Sequence, residues 1–89
     1  MFDVYLSRSA LRNLKNIKGK PLERIKGLLL KLKTNSLPVR EFNIRKIQNV
    51  SDTYRVRISQ YRVIYKIRWD EHEIYVVKIV KRDEKTYRL

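Results

Sequence analysis

Apolar and polar positions alternate from the first residues of the chain. Phe2, Val4 and Leu6 are separated by Asp3, Tyr5 and Ser7, which predicts a first strand. The period then lengthens. Ala10, Leu11, Leu14 and Ile17 recur at helical spacing and predict a short helix from Ser9 to Ile17, capped by Ser7 or Ser9. Gly19 ends it, and Lys18 and Lys20 suit its negative end. Pro21 fits the first turn of a second helix, whose stripe is Leu22, Ile25, Leu28, Leu29 and Leu32. Arg24, Lys31 and Lys33 keep its other side wet. Two helices joined by Gly-Lys-Pro predict a helical hairpin lying as a lid on a sheet. Residues 34–38 read as a loop, 39–47 as a weak basic strand built on Phe42, Ile44 and Ile47, and 49–52 as a turn.

Period two then returns for the rest of the chain. Tyr54, Val56 and Ile58 alternate with Arg55 and Arg57. Tyr61, Val63, Tyr65, Ile67 and Trp69 alternate with Arg62, Ile64, Lys66 and Arg68. Residues 74–80 are apolar on both faces except Lys78, the pattern of a central or covered strand. The predicted fold class is α+β, one antiparallel sheet packed on an N-terminal helical hairpin in the order β-α-α-β-β-β-β, with residues 1–89 as one domain.

Register arithmetic shows where chemistry collects. With Ser59-Gln60 as a two-residue turn, Ile58 faces Tyr61, and Arg57 faces Arg62 on the side that also carries Arg55. Like charges opposed in this way destabilise a sheet. With residues 70–73 as a four-residue loop, Trp69 pairs with Ile74 and Arg62 with Lys81. A one-residue change brings Arg82 there instead. Arginine forks match phosphate oxygens bidentately, so this face predicts phosphate recognition. A solvated face whose arginines pair with Asp83, Glu84 or a partner chain is the plainer reading.

Composition points the same way. The net charge is +13, from 22 Lys+Arg against 9 Asp+Glu, which favours a polyanionic partner, nucleic acid first and an acidic protein second. The basic residues alternate along strands instead of lining an amphipathic helix, so a membrane surface fits less well. No cysteine is present, which excludes disulfides and Cys-based zinc sites. Two glycines cannot build a glycine-rich phosphate loop. His72 and the carboxylates of Asp70, Glu71 and Glu73 fall in one predicted turn and read as turn polarity, so neither a metal nor a cofactor is expected. With no long apolar run and no signal-like N-terminus, the expected location is the cytoplasm.

The run YRVRISQYRVIY, followed by a strand and then KRDEKTY, resembles the RelE/ParE superfamily of bacterial and archaeal toxins, and its RelE branch in particular. The likeness spans length, element order, helical hairpin and basic tail. It implies a ribosome-dependent mRNA endonuclease that cuts in the A site and is held inactive by a cognate, RelB-like antitoxin, acidic and helical. It implies catalytic roles for Arg55 and Arg57 (the basic pair), Arg62 (phosphate contact), Arg82 (charge stabilisation or leaving-group protonation) and Tyr87 (stacking or proton transfer). It also implies RNA contacts for Arg45, Lys46, Lys81 and Lys85. The best-known member carries lysines where this chain has Arg55 and Arg57. Arginine holds its proton too tightly to act as a base. Tyr87, Lys81, Lys46, or a ribosomal or RNA group remain as proton acceptors. The same fold also serves ParE-type toxins, which inhibit DNA gyrase, and the charge alone is compatible with a non-catalytic RNA-binding protein.

Overall fold

The computed structural model describes residues 1–82. Its elements are β1 (Asp3–Leu6), α1 (Arg8–Lys15), α2 (Gly19–Leu32), β2 (Asn43–Lys46), β3 (Thr53–Ile58), β4 (Tyr61–Arg68) and β5 (Glu73–Lys81). The strands form one sheet in the order β1-β5-β4-β3-β2. β2 to β5 pair antiparallel, as their hairpin connections require. β1 departs from the all-antiparallel expectation, because it runs parallel to β5 at the sheet edge and makes the sheet mixed. Period-two alternation fixes which face a strand buries but not its neighbour or its direction. The helical hairpin that follows β1 frees it from any tight-turn constraint.

Both helices pack on one face of the sheet. Ile25, Leu28 and Leu32 of α2 and Ala10 of α1 are fully buried against Val56, Ile58, Val63, Tyr65, Ile67, Ile74, Val76 and Ile79. Val4 and Leu6 pair with Ile74 and Val76, so β1 adds its apolar residues to the same side. Ser7 caps α1, its Oγ accepting from the Ala10 N–H at 2.9 Å. The same hydroxyl donates to the Val77 carbonyl at 2.7 Å, and Asn13 Nδ2 donates to the Ile79 carbonyl at 2.7 Å. These bonds fix α1 to β5. The helix ends at Lys15 with Asn16 as its C-cap, two residues short of Ile17. Gly19, at φ +73°, opens α2 instead of closing α1. Pro21 stands in the first turn of α2, where no intrahelical partner for a backbone N–H is lost.

The long α2–β2 connection is held from three sides. The buried Tyr65 hydroxyl donates to the Ser36 carbonyl at 2.8 Å. Arg24 donates to the Glu41 carbonyl at 3.0 Å and lies over the Phe42 ring at 4.8 Å. Lys31 pairs with the Glu41 carboxylate at 3.2 Å. Chain reversals at Pro38 consume residues 39–42, so β2 is shorter than the 39–47 run predicted for it.

Candidate phosphate-binding face

The face opposite the helices carries the charge. The β3–β4 register pairs Ile58 with Tyr61 and Arg57 with Arg62, the pairing expected of a two-residue turn at Ser59-Gln60. Ser59 takes a positive φ of 54° to close that turn, although glycine is the usual occupant of such a backbone. Arg55 lies two residues back on the same side. β2 completes the row, Arg45 opposing Arg55 and Asn43 opposing Arg57. Arg45, Arg55, Arg57 and Arg62 therefore share one side of three adjacent strands, and neither helix covers them. Arg55, Arg57 and Arg62 are half-buried. Their Nε atoms are shut off from solvent, and that of Arg57 meets no hydrogen-bond partner among the described residues.

The β4–β5 register corrects the expected arrangement at the tail. The loop is residues 69–72, with Arg68 opposite Glu73 in place of Trp69 opposite Ile74. A bulge then inserts Val77, so Ile64 pairs with Lys78, Arg62 with Val80 and Tyr61 with Lys81. Lys81 consequently shares the helix side of the sheet with Tyr61. Lys46, opposite Tyr54, also falls on the helix side, so neither lysine joins the arginine row. Neither Lys81 nor Arg82 stands opposite Arg62, where Val80 lies instead; Arg82 is level with Gln60, its backbone N–H donating to the Gln60 carbonyl. Lys85 and Tyr87 lie outside the described residues.

His72 occupies the β4–β5 turn at φ 54°, exposed and stacked on Phe2 at 5.4 Å. Among the described residues no cluster of His, Asp and Glu is arranged to hold a metal ion, and no helix is long and apolar enough to cross a membrane. Two tyrosines have perturbed acidity. Burial, aided by Tyr54, raises the pKa of Tyr65, and the carboxylate of Asp3, followed by that of Glu73, raises that of Tyr5. Sequence reasoning missed the second pair of interest on the open face. Tyr5 and Tyr75 stack at 5.3 Å, and Arg68 lies over the Tyr75 ring at 5.7 Å. That contact depends on the β1–β5 pairing, which alternation alone does not reveal.

Fold and face together define a small basic α+β protein with a cationic sheet surface that neither helix covers. A family model described as the ParE toxin of type II toxin-antitoxin systems, parDE, matches residues 4–86. The chain is 35% identical over 82 residues to RelE1 of Methanocaldococcus jannaschii, a proposed toxin, covering 92% of this chain and 91% of the relative. The chain therefore belongs to the RelE/ParE superfamily, the toxin components of type II toxin–antitoxin systems. Solved structures bear out the fold. The archaeal RelE–RelB complex from Pyrococcus horikoshii superimposes with a TM-score of 0.83 at 24% identity, covering 93% of this chain and 97% of the other. The RelB–RelE complex from Methanococcus jannaschii gives 0.80 at 21%, with 96% and 98% covered. The isolated Escherichia coli RelE toxin gives 0.78 at 16%, with 94% and 87% covered.

Proposed function

We propose that this toxin is a ribosome-dependent mRNA endonuclease, and that the arginine face is its working surface. The observation that carries the reading is the register that sets Arg57 directly against Arg62, with Arg55 and Arg45 beside them, on the side of the sheet the helices leave open. Opposed arginines weaken a sheet, and a ligand that supplies negative charge would relieve that repulsion. In RNA cleavage the 2′-oxygen gives up its proton and attacks the neighbouring phosphorus, a dianionic phosphorane forms, and the P–O5′ bond breaks as the 5′-oxygen takes a proton from water or a ribosomal group. Guanidinium forks held rigid by strands can grip the phosphate and stabilise the added charge without reorganising. They cannot take the 2′ proton. Lys46 and Lys81 lie on the other side of the sheet, so the proton acceptor comes from Tyr87, the RNA or the ribosome. The ribosome supplies the in-line geometry that an open face lacks.

The RelE–RelB complexes among its structural relatives support an antitoxin as the second partner. A predominantly acidic chain would complement the +13 charge and silence the toxin by covering the face. A second reading is favoured by the matched family description, a ParE toxin, and makes gyrase the target. The two separate cleanly. Purified protein is added to ribosomes programmed with a defined A-site codon, mRNA ends are mapped by primer extension, naked mRNA serves as control, and a parallel sample is assayed for gyrase supercoiling. Ribosome-dependent cuts inside the A-site codon that fade in Arg62→Ala support the nuclease. Intact mRNA with inhibited supercoiling supports the gyrase reading.

A further inference from the structure

The open face does not end at the arginines. Going from Arg62 along β4 and across β5 to β1, the same side presents Ile64 opposite Lys78, then Lys66 opposite Tyr75, then Tyr5 opposite Tyr75. Arg68, Tyr75 and Tyr5 form a pile, the guanidinium 5.7 Å from the Tyr75 ring centre and the two rings 5.3 Å apart at 23°. Tyr5 is the outermost member. It sits on an edge strand flanked by β5 on one side only, and it is 43% exposed. Asp3 and Glu73 are paired beside it on the same side, so a phosphate is repelled here while the amino group of a base finds carboxylate acceptors. Strand spacings place Tyr5 about 16 Å from Arg62, a path of a few nucleotides lined by Lys66 and Lys78.

We propose that Tyr5, backed by Tyr75 and Arg68, is a stacking platform for a nucleobase of single-stranded RNA whose backbone phosphates lie on the arginine face. The proposal rests on the RNA-binding reading above and adds to it a base-contacting site at the far edge of the sheet. Every base has a flat face to offer, so the platform anchors RNA without demanding a sequence. The neighbouring carboxylates favour bases that carry an amino group.

The test uses the full-length toxin and a short single-stranded RNA in which 2-aminopurine replaces one base at successive positions. Its fluorescence is quenched when it stacks. Quenching is expected with the wild type and Tyr5→Trp, and its loss is expected in Tyr5→Leu, with binding weaker by about 5- to 150-fold. The salt slope of binding should be unchanged in Tyr5→Leu, because no phosphate contact is removed. In Arg57→Met the slope should flatten by about 0.7, one phosphate contact on a single strand. Tyr5 lies outside the core, so a melting curve like the wild type's will confirm that the variant is folded. A slope altered in Arg57→Met with quenching unaffected by Tyr5→Leu overturns the platform alone. If neither substitution changes binding, free RNA does not lie on this face and the platform falls; A-site cleavage by Arg57→Met at the wild-type rate on programmed ribosomes is the result that takes the parent reading with it.

Discussion

Replacing Arg57 with methionine should make the protein more stable while disarming it. Arg57 stands directly opposite Arg62, is half-buried, and has an Nε that no described residue accepts from. Residues opposed across antiparallel strands have Cβ atoms about 5 Å apart. Two unit charges at that distance repel by about 0.8 kcal/mol even at the dielectric of water, and by more where water is excluded. Splaying of the long side chains offsets part of this, which leaves about 0.5–1 kcal/mol, the upper range seen for cross-strand pairs. Methionine keeps an unbranched apolar stem that reaches about as far as the arginine Nε, and drops the charged head. For a chain of this size the gain corresponds to a rise in Tm of about 2–8 °C. Differential scanning calorimetry at low salt measures it directly. Adding sodium chloride to about 0.5 M, where the screening length is about 4 Å, should raise the wild-type Tm more than that of Arg57→Met and narrow the gap. A lower Tm for the variant, or an equal salt response in both proteins, would refute the claim that the row is held against its own repulsion.

Three further results are expected. Tyr65→Phe removes the bond to the Ser36 carbonyl and should cost about 1–2 kcal/mol in urea unfolding at neutral pH. Because burial raises the folded-state pKa of Tyr65 above its ordinary value of 10.0, the tyrosine hydroxyl contributes nothing to pH dependence below that value. Above it the unfolded chain loses the proton first and stability falls, so the gap between wild type and Tyr65→Phe should shrink as the pH rises past about 10. Ser7→Ala loses both the helix cap and the bond to the bulged Val77 carbonyl and should cost about 1–2 kcal/mol, whereas Ser7→Asp, which caps without donating, should recover part of the loss.

What was legible in the sequence was what short-range geometry decides. The alternation of Tyr54 to Trp69 fixed which residues face the core, and a two-residue turn left one register for Arg57 and Arg62. The leucine stripe of α2 was equally plain, and Ile25, Leu28 and Leu32 are its buried members. Long-range pairing was hidden. Nothing near Phe2, Val4 and Leu6 announces that β1 lies parallel to the last strand of the chain. The bulge at Val77 shifts the β4–β5 register by one residue, and with it the positions of Lys78, Val80 and Lys81. The bulged residue is met by a partner far away in sequence, the Ser7 hydroxyl donating to the Val77 carbonyl. The stacking of Tyr5 on Tyr75 was hidden for the same reason, since β1 and β5 are brought together only by the tertiary fold.

The arginine row is most directly tested by the single-turnover rate of mRNA cleavage on programmed ribosomes for Arg57→Met, Arg62→Met and the double variant, each first shown to melt no lower than the wild type. If the row stabilises the charged transition state, each single substitution slows cleavage by about 10²–10³-fold, and the double variant falls short of the product of the two because the groups act as a unit. Cleavage by the double variant at the wild-type rate would contradict the account and move the chemistry off this face.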